Sequence, residues 1–427
     1  MPKNLEMTLS ERDKKHIWHP LTQHQTATPP IGIVKAKGAL MWDENGKEYI
    51  DGIASWYTAM YGHCNDAIIT AVSNQLKELD QIVFTGFTHK PAVELSEKLM
   101  AILPSHLQKI FFNDNGSTAV EAGIKMALQY HFNKGEKRNT LIAFEDGFHG
   151  DTFGAMSVSG LSVYNGPFED FFLNVKRIPV PQKHNLTEVL SKLKEIISEN
   201  NCAAFVYEPL VQGAAGMKFH NAEGLETLLQ LCKENEVLCI ADEVMTGFGK
   251  TGTNFASEYL KTQPDIMCLS KALTAGVAAM SITACSQVVF DAFLDDEIAK
   301  GFFHAHTYSA NPLACSAAIA GIDLLTSAEI QNDILRIERL HKAFSEKIKA
   351  HKKVAAVRTL GVIFALDLNV EMERYGTLRN ILFDHFMAEG VFLRPLGNTV
   401  YILPPYIISN DQLHKIYNTI ESALSIV

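Results

Sequence analysis

Two apolar runs each end in one ionisable residue. Val237-Leu-Cys-Ile-Ala-Asp-Glu-Val244 delivers Asp242, and Asp265-Ile-Met-Cys-Leu-Ser-Lys-Ala272 delivers Lys271. Each reads as a buried strand that presents its ionisable residue at the C-terminal end. A buried amine beside a buried carboxylate is the pair that pyridoxal phosphate requires: the amine condenses with the aldehyde and the carboxylate faces the pyridinium nitrogen. That carboxylate keeps the nitrogen protonated and so deepens the electron sink. Lys271 must shed its own proton for the task, so burial and a cationic neighbour are expected to lower its pKa. By spacing alone, a solvent-facing lysine and a turn aspartate is an equal reading, and the other motifs decide between the two.

Asn113-Asp-Asn-Gly-Ser-Thr118 follows a strand and opens a helix carrying Val120, Ile124 and Leu128. A Gly-Ser pair there exposes backbone N–H groups and a hydroxyl to an anion. Taken alone it is an ordinary helix cap; beside a cofactor lysine it becomes a phosphate site. Gly147-Phe-His-Gly-Asp-Thr152 sets an aromatic and an imidazole between glycines, where a flat ring could stack, although a plain Gly-rich loop has the same composition. Gly247-Phe-Gly-Lys-Thr-Gly252 fits G-x-G-x-x-G but is no nucleotide site. A P-loop needs glycine where Val244 stands, and no helix opens within these glycines. His304-Ala-His306 lacks a spaced Cys or acidic residue to complete a metal site, and Asp242-Glu243 is a poor metal pair, so no metal is expected. Trp56-Tyr57 follows Asp51-Gly-Ile-Ala-Ser; paired aromatics are usually core, but a Gly/Ser-flanked pair can wall a substrate pocket.

These residues need a scaffold. From about Asn65 to Leu325, short apolar strands alternate with helical patterns. The strands are expected at 109–113, 141–144, 203–207, 237–241, 266–269 and 281–285, with helices at 66–81, 186–199 and 224–236 among them. Continuous apolar strands separated by helices imply an α/β fold with a mostly parallel sheet covered on both faces. From about Ala328 the character changes to an α+β module: a helix over 330–350, a hairpin over 354–368 turning at Leu360-Gly361, a helix over 378–389 and a last helix from Ser409. Short strands at 33–37 and 39–42 are expected to join that module. The domains are therefore expected as an N-terminal segment 1–60 packing with the small domain, a large cofactor domain 61–327 and a small C-terminal domain 328–427.

The 427 residues, 47% apolar and 20% charged, fit a globular protein with large buried surfaces. A net charge of −10, spread along the chain, argues against nucleic acid and anionic membrane as partners. The seven cysteines are scattered without a C-x-x-C pair, and several (Cys202, Cys232, Cys239, Cys268), in or beside apolar runs, read as core thiols in a reducing compartment. The first fifteen residues hold no apolar signal region, and the longest apolar stretch, Ala272 to Cys285, falls short of the about 20 residues of a membrane span. A cytoplasmic location is expected.

Ala241-Asp-Glu-Val-Met-Thr-Gly-Phe-Gly-Lys-Thr-Gly252 followed by Pro264-Asp-Ile-Met-Cys-Leu-Ser-Lys271 resembles the signature of the class III (ornithine/GABA-type) pyridoxal-phosphate aminotransferases. The resemblance implies the fold-type I architecture and covers nearly the whole chain. Ile17-Trp-His-Pro20, Ser55-Trp-Tyr57, Phe148 through Ser157, Asn311-Pro-Leu-Ala-Cys315, Arg394-Pro395 and Tyr401 through Ile407 are similar to one branch of it. That branch aminates 8-amino-7-oxononanoate in biotin biosynthesis, usually with S-adenosylmethionine as donor. The resemblance implies that Lys271 holds the cofactor and shuttles the proton and that Asp242 pairs with the ring nitrogen. It implies that Gly116 and Ser117 bind the phosphate from one subunit of a homodimer and Thr307 from the other, that Phe148 stacks on the ring and that Glu208 lies beside it. Trp56, Tyr57, Asp151, Arg394 and Tyr401 would line the substrate site, with Arg394 meeting a carboxylate. Three residues depart from the branch's best-known pattern: Leu21 and Phe148 stand where tyrosines are usual, and His306 where a proline is. They leave transamination intact and the donor open between S-adenosylmethionine and lysine. The competing readings are a relative acting on another amine such as ornithine or GABA, against which the Trp18 and Trp56-Tyr57 motifs speak, and a non-catalytic binding protein, against which Lys271 and Asp242 speak.

Overall fold

The computed structural model describes residues 7–199, 201–371 and 376–427. Residues 1–6 of the expected N-terminal segment lie outside the described residues.

A seven-stranded sheet organises the molecule. Its order is Leu107–Asn113, Ser281–Ser286, Ile266–Leu269, Leu238–Asp242, Cys202–Tyr207, Thr140–Phe144 and Val175–Ile178. The apolar runs become strands because both faces are covered, so every residue of the inner strands is buried. Strand residues alternate between the two faces. Ile142, Phe144, Phe205, Tyr207, Cys239 and Ala241 enter one core cluster, while Leu141, Ala143, Ala204, Val206, Leu238 and Ile240 enter the other. Each large aliphatic so buried contributes roughly 1.5–3 kcal/mol. The helix Gly116–Asn133 covers the second face, burying Val120, Ile124 and Ala127 against it. Helices Leu186–Glu199 and Ala222–Glu234 bury Val189, Leu193, Leu225 and Leu228 in the first cluster.

The sheet is mostly parallel, as expected, with one exception. Ser281–Ser286 runs antiparallel to both neighbours. The connection from Leu269 holds a single 3-10 turn, Lys271–Thr274, which is too short for a parallel crossover. The strand Val175–Ile178 escapes the apolar pattern because Lys176 and Arg177 occupy its middle at the sheet edge. The expected helix over 66–81 ends sooner, at Gln75, with Leu76 as its C-cap.

The N-terminal strands Ile33–Lys37, Leu40–Asp43 and Glu48–Asp51 form an antiparallel set that Val391–Phe392 joins in parallel. The C-terminal hairpin Val354–Leu360/Ile363–Leu368 takes Thr399–Ile402 as third strand. Gly361 turns that hairpin at φ +55 and abuts the Gly-rich loop: a Cβ on it would lie 2.2 Å from Gly252 N, and Val362 N donates to Lys250 O at 3.0 Å. Among the described residues no single helix is long and apolar enough to cross a membrane; the bent pair Pro312–Leu325 and Ala328–Ile348 passes by length and composition together.

Candidate active site

Three adjacent parallel strands deliver three ionisable groups at one sheet edge. Asp242 ends Leu238–Asp242, Glu208 follows Cys202–Tyr207, and Lys271 follows Ile266–Leu269 by two residues. In open α/β sheets the carboxyl ends of strands are where ligands bind.

Asp242 is buried and doubly held. Its Oδ2 lies 2.7 Å from His149 Nδ1, and its Oδ1 accepts from Val244 N at 3.0 Å. Burial works against a charge on His149, but the hydrogen bond and charge of Asp242, with Glu208 behind, prevail and raise its pKa. Glu208 accepts from Phe148 N at 3.1 Å and Gly213 N at 3.0 Å. Burial, helped by the charge of Asp242 and resisted by His149 and the two N–H groups, pushes its pKa up to about 7. The Lys271 pKa is lowered by burial, against the opposing pull of Asp242 and Glu208. The expected lowering is therefore present, but burial causes it rather than a cationic neighbour. Lys271 Nζ lies 5.1 Å from the centre of the Tyr57 ring, and its backbone is left-handed at φ 51.

The phosphate and stacking candidates close on the same edge. Asn115 caps the Gly116–Asn133 helix by accepting from Thr118 N, so the cap does not use the N–H groups of Gly116 and Ser117. Gly150, at φ +126, brings the 147–152 loop against this terminus; a Cβ on it would lie 2.0 Å from Ser117 Oγ. Glu121 secures the loop's far end, accepting from Thr152 Oγ1, Gly154 N and Ala155 N at 2.5, 2.6 and 3.0 Å. Phe148 keeps 45% of its surface exposed, and Asp151 is exposed on the same loop.

The substrate candidates form a wall beside Lys271. The Arg394 guanidinium stands 5.0 Å over the Trp56 ring, and the Tyr57 and Tyr401 rings are 5.9 Å apart. Burial raises the Tyr57 hydroxyl well above its usual pKa and takes Tyr401 to about 12. Thr307 stays apart: it is exposed, its carbonyl accepting from Gln81 Nε2 at 3.0 Å.

Two groups escaped the sequence reading. His149 carried a signal, its place between two glycines, but nothing pointed to Asp242 as its partner. Lys250, in a loop read only as tight, is wholly buried with Nζ 2.8 Å from Gly247 O; burial and the charge of Lys271 hold its pKa well below the usual lysine value. Glu243 is structural, accepting from Thr246 Oγ1, Ala256 N, Ser257 N and Ser257 Oγ.

The donor set fits pyridoxal phosphate: a buried carboxylate fixed by an imidazole, a buried amine of lowered pKa one strand away, and a helix N-terminus into which only glycine lets the stacking loop come close. The sequence profile described as aminotransferase class-III matches residues 21–424. The adenosylmethionine-8-amino-7-oxononanoate aminotransferase of Synechococcus elongatus is 40% identical over 420 residues, covering 96% of this chain and 98% of that one. Its namesake from Helicobacter pylori is 33% identical, covering 96% of each. The crystal structure of the namesake from Methanocaldococcus jannaschii superposes with a TM-score of 0.93 at 32% identity, covering 98% of this chain and 99% of that one. A PLP-bound amine transaminase from an uncultivated Pseudomonas species gives 0.90 at 27% identity, covering 96% and 98%. The chain belongs to the class III aminotransferases and is a pyridoxal-phosphate-dependent enzyme of that family.

Proposed function

We propose that this enzyme aminates 8-amino-7-oxononanoate to 7,8-diaminononanoate in biotin biosynthesis, with S-adenosylmethionine as donor and lysine as the alternative. One observation carries the reading: Arg394 over Trp56, one residue from the Tyr57 ring that Lys271 Nζ approaches. A cation for a carboxylate, an aromatic wall for an apolar chain and the reactive amine thus stand in a row, as a long keto acid with an amino-ketone end needs. The names of the full-length relatives support it.

Pyridoxal phosphate, when bound, supplies the carbonyl for amine exchange and the sink for electrons at the reacting carbon. The chain does the rest. Asp242, held by His149 and the Val244 N–H, would face the ring nitrogen of the bound cofactor. Lys271 Nζ, made less basic by burial, takes and returns the proton. Gly116 and Ser117 would hold the phosphate at the helix N-terminus, and Phe148 would offer a ring face for stacking. Glu208 sets the field beside Lys271 and Asp242. Arg394 takes the keto acid's carboxylate and the donor's alpha-carboxylate in turn, between Trp56, Tyr57 and Tyr401, with Asp151 at the rim.

The assembly in this reading is a homodimer in which Thr307 serves the neighbouring subunit's phosphate. Its exposure, outside its own chain's cluster and beside exposed Phe303 and Tyr308, supports this. The pairing of Glu48–Asp51 with Val391–Phe392 supports a division into 1–60, 61–327 and 328–427 in which the N-terminal segment packs with the small domain. A cytoplasmic location accords with seven free thiols. Purified enzyme incubated with the keto acid and separate donors, read by mass spectrometry, is expected to give the diamine with S-adenosylmethionine or lysine. Preferred turnover of ornithine or GABA would remove the biotin-pathway assignment.

A further inference from the structure

The segment carrying Trp56 and Tyr57 has an unusual backbone. Ala54, Ser55, Trp56 and Tyr57 have φ of 47, 45, 68 and 72, and none is glycine. Ser55 and Trp56 have ψ of 53 and 47, so the four residues form a left-handed helical turn. L-residues visit that region singly, not in runs, because Cβ crowds the following carbonyl. Such a turn persists only where its surroundings over-determine it, and strain of this kind gathers at functional sites.

The surroundings converge on one carboxylate. Asp51 is fully buried. Its Oδ2 accepts from Ser55 N at 2.7 Å, Ser55 Oγ at 3.0 Å and His63 Nε2 at 2.8 Å, and its Oδ1 accepts from Ile53 N at 3.2 Å. His63 is itself fixed, exchanging backbone hydrogen bonds of 2.8 and 2.9 Å with Gly38. The base of the turn is sewn to the strand that leads to Arg394: Asp51 pairs with Phe392, Gly52 N donates to Phe392 O at 3.1 Å, and Leu403 N donates to Gly52 O at 2.9 Å. One sheet therefore fixes the spacing of Arg394 and Trp56, while Asp51 fixes the handedness that aims the aromatic pair.

We propose that Asp51 and His63 form a clamp that holds residues 54–57 left-handed and so sets where Trp56 and Tyr57 stand in the substrate site. They are positioning residues that act through the turn. A buried carboxylate left short of hydrogen-bond donors is costly. Removing the His63 N–H leaves Asp51 under-satisfied, and an amide in place of the Asp51 carboxylate offers one accepting oxygen to four donors and turns its NH2 against the rest. In either case the turn can relax toward ordinary backbone and swing Trp56 away from Arg394. The clamp deepens the reading of Trp56 and Tyr57 as substrate wall and rests on it for its kinetic consequence.

The chain has three tryptophans, so Trp56 becomes the sole reporter in a Trp18→Phe/Trp42→Phe background. In that background Asp51→Asn and His63→Leu are expected to red-shift Trp56 emission and expose it to acrylamide in folded apoenzyme. His63→Gln, which keeps an N–H donor, is expected to stay near the parent. In loaded enzyme the first two should raise KM for the keto acid about tenfold with kcat changed far less, while borohydride still fixes the cofactor to Lys271. Should His63→Leu fail to fold, the milder Ser55→Ala, which removes one donor, takes its place with a smaller shift of the same sign. Unshifted emission in folded Asp51→Asn and His63→Leu overturns the clamp whatever the kinetics. An unchanged KM in Trp56→Ala overturns the substrate-wall reading instead, and the emission then decides the clamp alone.

Discussion

Glu208 is the residue whose chemistry departs furthest from its type. Its pKa of about 7, against an ordinary 4.5, comes first from burial. An acid raised on folding is held protonated in the native state, which therefore binds more protons than the unfolded chain between about pH 4.5 and 7. Its stabilisation is complete below the unfolded value and is lost as pH rises through the folded one. The loss is on the order of 3 kcal/mol before relaxation of the buried site. Glu208→Gln removes the titration but keeps the shape. Urea midpoints measured from pH 4.5 to 8 should fall less with pH in the variant than in the wild type. Parallel curves would mean that Glu208 titrates normally. His149 carries a raised pKa with the same sign, so only the difference between the two proteins isolates Glu208.

At the scale of the element, the 147–152 loop decides whether the helix terminus can act as a cofactor site. Gly150 is required twice over, by φ +126 and by the 2.0 Å that a Cβ would leave to Ser117 Oγ. Gly150→Ala is expected to weaken pyridoxal phosphate binding about fivefold or more, since about 1–3 kcal/mol of strain falls on the loop that carries Phe148. Gly135 is the matched control, with φ +82 and nothing within 4 Å of its Cβ position. Gly135→Ala should cost about 1 kcal/mol of stability and leave cofactor binding unchanged. Absorbance titration of each apoprotein with pyridoxal phosphate makes the comparison, and equal affinities in the two variants would detach the loop from the phosphate site. The elements themselves were legible where burial is continuous: the Ile266–Leu269 strand and the Leu186–Glu199 helix have the expected ends. They were illegible where context overrides pattern, as in Val175–Ile178, whose charged middle is tolerated at a sheet edge.

For the whole molecule, the question is what a second copy adds. If Thr307 serves the partner's phosphate, a heterodimer of Lys271→Ala with a damaging Thr307 variant combines both lesions in one site and leaves the other intact. Activity should then recover toward half that of the wild type. Demonstrated heterodimers without recovery would confine each site to one chain. The sequence by itself determined the strand-end positions of Asp242 and Lys271, the Gly-Ser helix start at 116–117 and the doubly covered sheet, because residue type, apolar run length and glycine placement are local properties, while the cofactor followed from the family resemblance of these motifs together. Only the tertiary structure decided which distant groups meet. His149 reaches Asp242 across 93 residues, Lys250 is sealed beneath the Gly361 hairpin tip, and Asp51 holds a left-handed turn that contains no glycine. Those pairings follow from the order of strands in the sheets, which is fixed by the burial of the whole chain at once and not by any window of it.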